Sequence, residues 1–341
     1  LLTKVDKGIL PPSKHMLGEL LTEWLESYVL TNCSERTYLG YEGIISKHIA
    51  PAIGHTKLKD LRPVIIQGFY GEACQKENGR THQKLNNRTV LRMRRVLSQA
   101  LRWAVRQGYL SVNPASRDHV DPPKEKRYIA RTLDRNEIET LLEAAQDSWC
   151  YPTIYTAVNT GLRRNELLAL RWRDIDVLAM VISVNHSLYK HGGEIELREP
   201  KSESSRRQIS MTPPLALYLR EYKAERESLY LWMGRLLSPD DFVFGDDAGQ
   251  PLDPSSLSHA FNRIVKKAGL EARFHDLRHS CATLMLGAGI HPKVVQEMLG
   301  HSSIQITLDI YSHVVPGMQQ AAAERLGSLL PAGVAISGGK R

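Results

Sequence analysis

The chain has 341 residues, long enough for two domains with sizeable cores or for one large one. Its 45 basic residues outnumber 37 acidic ones, and the net charge of +8 favours a polyanionic partner such as nucleic acid. No apolar run approaches the roughly 18 residues of a membrane span. The four scattered cysteines form no C-x-x-C pair, which argues against a disulfide frame or zinc site and reads as reduced, buried thiols. Residues 1–14, LLTKVDKGILPPSK, carry neither an initiating Met nor the apolar core of a signal peptide; they are expected to be a linker remnant of a cytoplasmic protein.

From residue 15 the pattern turns helical. In MLGELLTEWLESYVL, Met16, Leu17, Leu20, Leu21, Trp24, Leu25 and Tyr28 recur at three- and four-residue steps, as in an amphipathic helix. Similar periodicity predicts helices over 35–48 and 64–76. The next, RTVLRMRRVLSQALRWAVRQG, opens after the cap candidates Asn86 and Asn87 and stops at Gly108. At about 100° per residue, Arg88, Arg92, Arg95, Arg102 and Arg106 share one line along it. Val90, Met93, Leu97, Ala100, Leu101 and Ala104 cover the other side. A solvated face ordinarily mixes signs; five arginines on a helix without an acidic residue point to a phosphate-facing stripe.

Residues 15–117 thus read as one helical domain, and the proline-interrupted stretch 118–131 as a linker. A helix is expected to open at TLDRNE, from residue 132. Between Met180 and Met211 the pattern becomes strand-like: MVISVNHS, a HGG turn, EIELRE, then RRQISM, with the charged loop PKSESS before the last strand. This predicts a small antiparallel sheet. The remainder reads as helical to residue 326, leaving 327–341 as a tail of unusual apolar content.

Four stretches in the second half carry chemistry. In NTGLRRNELLALRWRDID, Gly161 breaks the chain before a helix expected to run through Leu167, Leu168, Leu170 and Trp172. Arg163 would lie in its first turn, where the helix dipole disfavours a cation, so Glu166 three residues on is the natural anionic buttress. In FHDLRHSCATLML, His275, Arg278 and His279 lie within one turn. The two histidines have zinc-pair spacing, but the metalloprotease glutamate is absent and an arginine between them repels a cation, so no metal is expected. A core histidine pair beside a surface arginine is the plainer alternative. The strand loop carries Lys201, by itself an ordinary surface lysine. Finally, LGHSSIQITLDIYSHV places His301 after Gly300 and Tyr311 ten residues later. Alone, Tyr311 reads as a packed aromatic, and a phenol with a pKa of about 10 is a poor nucleophile.

Together these stretches supply two arginines, two histidines, a lysine and a tyrosine, with no carboxylate pair. The inventory suits displacement at a phosphodiester. Two guanidinium forks can hold the non-bridging oxygens and neutralise the transition state. The tyrosine can attack, and a lysine or histidine can protonate the departing alkoxide. A two-metal nuclease would need clustered carboxylates, and an ATP-driven enzyme a phosphate loop, whose spacing GVAISGGKR misses. No cofactor is expected.

The ordered set TGLRRNE, PKSESSRRQI, HDLRH, LGHSS and Tyr311 closely resembles the tyrosine recombinase, or phage integrase, family. The resemblance covers 132–326 as the catalytic domain, and 15–117 is similar to the family's helical, SAM-like core-type DNA-binding domain. It implies a mainly α protein whose catalytic domain is α+β with a small three-stranded antiparallel sheet, the two domains closing as a C-shaped clamp on duplex DNA. Arg163, Lys201, His275, Arg278 and His301 correspond to the family's catalytic residues and Tyr311 to its nucleophile, which forms a 3′-phosphotyrosine without metal or ATP. Glu166 and His279 would support them. The implied partners are double-stranded DNA target sites, a homotetramer in the synaptic complex, and a host DNA-bending protein with a directionality factor; the tail 327–341 would be exchanged in trans. The setting would be the nucleoid of a bacterial cytoplasm, the task integration or excision of a mobile element. A type IB topoisomerase and a DNA-binding protein that has lost catalysis share parts of the pattern. The integrase-like first half weighs against the former and the complete set of six residues against the latter.

Overall fold

The computed structural model describes residues 15–77, 84–124, 131–191, 193–199, 206–311, 323–324 and 328. The chain divides into two compact units, Leu1–Tyr128 and Ile129–Arg341.

The first unit is helical. Helix α1 (Leu17–Trp24) continues through a π turn, Leu25–Val29, into a last turn, Leu30–Asn32. Helix α2 (Glu35–Ile44) does the same through Ile45–Ile49 to Ala50–Ile53. The sequence predicts both helices but not their widened middles. The reason is a five-residue step in the apolar pattern: Leu20 with Leu25, Trp24 with Val29 and Ile44 with Ile49 are all buried, and i→i+5 bonding brings such pairs into line. Helices α3 (Pro63–Gln75) and α4 (Asn87–Arg106) complete the unit. Asn86 caps α4 by accepting a bond from the Arg88 backbone N–H at 3.0 Å. The inner face of α4, with Val90, Met93, Leu97, Ala100, Leu101 and Ala104 fully buried, packs in one core with Leu17, Leu21, Trp24, Ile49 and Ile66. Asn113 pins the chain as it leaves: its Nδ2 donates to the Ser98 carbonyl (3.0 Å) and its Oδ1 accepts from Ala115 N–H (2.9 Å).

The second unit opens with α5 (Arg135–Ala145), where Asp134 and Glu137 exchange side-chain and backbone bonds at 2.9 and 3.0 Å as a capping box. Helix α6 (Tyr151–Thr160) ends at Gly161. The helix expected from Arg163 through Trp172 is cut short: α7 is only Arg164–Leu167, and Arg163 is its extended N-cap residue rather than part of the first turn. The chain beyond is drawn into tertiary bonding instead, Leu170 O accepting from Val243 N–H (2.9 Å) and Trp172 N–H donating to Asp241 O (3.1 Å).

The sheet differs in membership from the sequence reading. MVISVNHS splits into β2 (Val181–Val184) and β3 (Ser187–His191). Strand β2 lies between a two-residue β1 (Ile175–Asp176) and β5 (Arg207–Ser210), all antiparallel, while β3 pairs with β4 (Glu194–Arg198) as a separate hairpin. Burial decides the pairing: Ile182 and Ile209 stand opposite one another on the covered face. Then come α8 (Pro213–Trp232), an irregular stretch over 233–253, α9 (Pro254–Lys267), α10 (Asp276–Gly287), α11 (Pro292–Leu299) and α12 (Ile304–Tyr311). The core joins Leu141, Ile154, Leu167, Ile182, Ile209, Phe244, Phe261 and Leu277. A smaller cluster of Ala282, Leu286, Val295 and Leu299 fastens α10 to α11.

All four cysteines are free; Cys150 and Cys281 are buried, but Cys33 and Cys74 are only half-buried, against the expectation. Among the described residues no helix is long and apolar enough to cross a membrane. Lys201, its loop, and the tail beyond 328 lie outside the described residues.

Candidate active site

Two glycines end two helices and set the geometry. Gly161 closes α6 at φ 63° and Gly300 closes α11 at φ 67°, left-handed positions where a Cβ is disfavoured. Neighbours crowd one as well: a Cβ on Gly300 would stand 3.0 Å from an Arg207 guanidinium nitrogen, and one on Gly161 would overlap the tip of the Leu299 side chain. The carbonyls around these turns hold the two arginines. Arg278 donates through Nη1 to Gly161 O (2.8 Å) and through Nη2 to Leu299 O (2.6 Å). Arg163 donates through Nη2 to Gly300 O at 2.7 Å. Unmade carbonyls at helix C-termini carry partial negative charge, so the ends of α6 and α11 are suited to seat cations.

Arg163 has the partner its position calls for. Its Nη1 lies 2.6 Å from Glu166 Oε1, and its backbone N–H donates to Oε2 at 3.1 Å. Burial alone would raise the Glu166 carboxyl; the guanidiniums of Arg207 and Arg163 outweigh it and hold the group below its usual range. Arg207 is the residue that sequence reasoning missed. Its buried side chain sends Nη2 to Glu166 Oε2 (2.8 Å) and Nε to Met298 O (2.7 Å). The signal was available: Arg207 alternates with the buried Ile209 and Met211, and a cation on the covered face of a strand requires partners.

His275 stands at the N-terminus of α10 with His279 one turn on, their rings edge to face with centroids 5.1 Å apart. Burial first, then the neighbouring His279 and Arg278, push His275 down to about 4. His301 is buried, with Nδ1 2.9 Å from Thr307 Oγ1 on α12. Burial and then Arg278 and Arg163 push it down to about 3. Both imidazoles are therefore neutral at neutral pH. Burial, seconded by Arg163, brings Arg278 down to about 9, still charged at neutral pH. Burial lowers His279 as well. Among the described residues no three His, Cys, Asp or Glu side chains gather to hold a metal ion.

Of the residues singled out in the sequence, Arg163, Glu166, Arg278 and His301 thus meet around two helix ends, and His275 and His279 share the Arg278 helix. Tyr311 is the last residue of α12. Arg88, Arg92, Arg95, Arg102 and Arg106 belong to the other unit, where all five are exposed along α4. Beside this line runs a concavity of about 610 Å³ that includes Arg94, Arg95, Arg102 and Arg117 in its lining. Sequence periodicity did not single out Arg94 or Arg117.

The helical unit and the mixed unit with its paired, carbonyl-seated arginines can be set beside known proteins. The profile of the phage integrase family matches residues 131–317, and that of the phage integrase N-terminal SAM-like domain residues 16–72. A tyrosine recombinase XerC-like protein of Caldanaerobacter subterraneus subsp. tengcongensis is 30% identical over 331 residues, covering 92% of this chain and 83% of its own. The ICEBs1 integrase of Bacillus subtilis is 30% identical over 308 residues, covering 86% and 78%. Among solved structures, the Tn1549 transposon integrase in complex with transposon right end DNA superposes with a TM-score of 0.75 at 24% identity, over 92% of this chain and 99% of that one. A lambda integrase tetramer bound to a Holliday junction gives 0.63 at 19% identity, over 90% and 80%; both likenesses concern the fold. The chain belongs to the phage integrase family. It is a tyrosine-type site-specific DNA recombinase of the kind that serves mobile elements.

Proposed function

We propose that the protein cuts and rejoins double-stranded DNA at its target sites through a 3′-phosphotyrosine link, integrating or excising a mobile element. The observation that carries this reading is the pair of guanidiniums, Arg163 and Arg278, seated on helix-terminal carbonyls beside two neutral imidazoles. The N–H groups so bonded fix both guanidiniums, and their remaining N–H groups would donate to the non-bridging oxygens of a phosphate. Donors fixed in advance need no reorganisation when charge develops on the pentacoordinate phosphorus.

In this mechanism the Tyr311 oxygen bonds to phosphorus, and its proton passes to the neutral His275. Thr307 at Nδ1 of His301 leaves Nε2 for the phosphate. The bond from phosphorus to the 5′-oxygen breaks, and that oxygen needs a proton. His275 serves as the base that receives the tyrosine proton and His301 is neutral at neutral pH, which favours Lys201 as the separate acid that protonates the 5′-oxygen. A 5′-hydroxyl of the partner duplex then attacks the phosphotyrosine. The link conserves the ester bond, so no ATP is consumed, and two guanidiniums supply the charge that a metal would otherwise bring. Helix α12 packs on α10 and α11, which supports bringing its terminal Tyr311 to the same site.

Residues 15–117 would grip the duplex through the α4 arginines and 132–326 would cleave it. The lambda integrase tetramer on a Holliday junction supports a homotetramer as the working assembly. A host DNA-bending protein and a directionality factor would set the direction of the reaction in the nucleoid. The test is Tyr311→Phe, which removes only the hydroxyl. It is expected to bind a nicked duplex bearing the target site as tightly as the parent and to form no covalent adduct. A denaturation-resistant protein–DNA band from the Phe variant would overturn the reading.

A further inference from the structure

We infer that Arg207 is a positioning residue for strand cleavage, holding both supports of Arg163 in one arrangement. The inference rests on reading Arg163 as a residue that grips the scissile phosphate. Arg163 leans on two things, the Glu166 carboxylate (2.6 Å) and the Gly300 carbonyl (2.7 Å). Arg207 touches the first directly and braces the second. Its Nη2 lies 2.8 Å from Glu166 Oε2 and its Nη1 3.4 Å from Oε1; its Nε donates to Met298 O at 2.7 Å, two residues before Gly300. The contacts close a ring that runs from Arg163 through Glu166, Arg207 and the end of α11 back to Arg163.

Arg207 thereby reaches both oxygens of Glu166, while Arg163 holds Oε1 by its guanidinium and Oε2 by its backbone N–H. Of the two holds on Oε2, the charge-assisted bond from Arg207 at 2.8 Å is shorter than the one from the Arg163 backbone at 3.1 Å, and it keeps the carboxylate in the plane that presents Oε1 to Arg163. The same guanidinium braces the turn that leads into His301 through its bond to Met298 O, and packs close enough to Gly300 that a Cβ there would crowd it at 3.0 Å. Arg207 itself is spent on protein acceptors and buried, so its influence on the reaction passes through Arg163 and the turn. Lysine cannot replace it: a single ammonium lacks the planar fork that serves Glu166 and Met298 together.

The experiment is single-turnover cleavage of a synthetic nicked duplex carrying the protein's own crossover sequence. The scissile linkage is either the ordinary phosphodiester or a methylphosphonate, whose uncharged phosphorus needs less neutralisation. Arg207→Lys is expected to cleave the diester about 100-fold more slowly, the scale of loss for a misplaced reacting partner, with duplex affinity unchanged. Added to Arg163→Ala it should cost nothing further, and on the methylphosphonate its deficit should shrink by the same factor as that of Arg163→Ala. Glu166→Gln with Arg207→Met removes the buried charges together and so protects the fold; it should show the same loss and the same recovery. Losses that multiply in the Arg163→Ala background, or parental diester cleavage by either Arg207 variant, would overturn the inference while leaving Arg163 in its role. Parental diester cleavage by Arg163→Ala would instead sink the reading of Arg163, and this inference with it.

Discussion

At the scale of single residues, the buried histidines make the stability of the fold depend on acidity. Folded His301 takes up a proton only near pH 3, whereas an ordinary imidazole does so near 6.5. Between those values the unfolded chain holds the extra proton, so this contribution is whole above pH 6.5 and is lost as pH falls towards 3. His275, about 4 in the folded protein, pulls in the same direction. Lowering the pH from 7.5 to 5.5 is therefore expected to depress the melting temperature, with His301 accounting for about 1.4 kcal/mol or about 3–6 °C. His301→Asn should flatten the dependence. A melting temperature that holds or rises on acidification would contradict the depressed histidines. Legibility at this scale followed distance along the chain. The partnership of Arg163 with Glu166 was readable because three residues of helix or cap bring them together. That of Arg207 with Glu166 spans 41 residues, and only the strand alternation hinted that Arg207 needed an anion.

At the scale of elements, Gly300 shows how a helix end can be a functional part. Alanine there must adopt φ near 67° and crowd Arg207 at 3.0 Å. Gly300→Ala is expected to destabilise the protein by about 1–3 kcal/mol and to slow cleavage, read by denaturant melts and single-turnover assays. Gly287→Ala, at the end of α10 with open space around the added carbon, is the control and should stay within about 1 kcal/mol of the parent. Helix α4 was legible down to its cap, because Asn86 acts within two residues; α5 was legible as a helix but opens at Arg135, behind the Asp134–Glu137 box, rather than at residue 132. The widened turns of α1 and α2, the shortness of α7 and the pairing of β2 with β5 were not. Each depends on a core or a partner segment that local periodicity does not register.

At the scale of the whole molecule, the charge of +8 has a location as well as a sum. The exposed arginines of α4 form one line, and each phosphate contact contributes about 0.9 to the slope of log affinity against log salt. Arg95→Ala with Arg102→Ala is expected to flatten that slope by up to roughly two units on any duplex sequence. An unchanged slope and affinity would make the line an ordinary hydrated surface. The carbonyl seats of the arginines bear also on how the protein is made. Arg163 reaches across 137 residues to Gly300, and Arg278 across 117 to Gly161. Contacts of such sequence separation form late, since long loops must close before they are rewarded. On the ribosome, a chain that ends before Leu299 already has Arg163 and Arg278 but lacks the α11 carbonyls that aim them. With the two arginines in the role proposed for them, a nascent chain is expected to cleave no DNA until α11 has been made and folded.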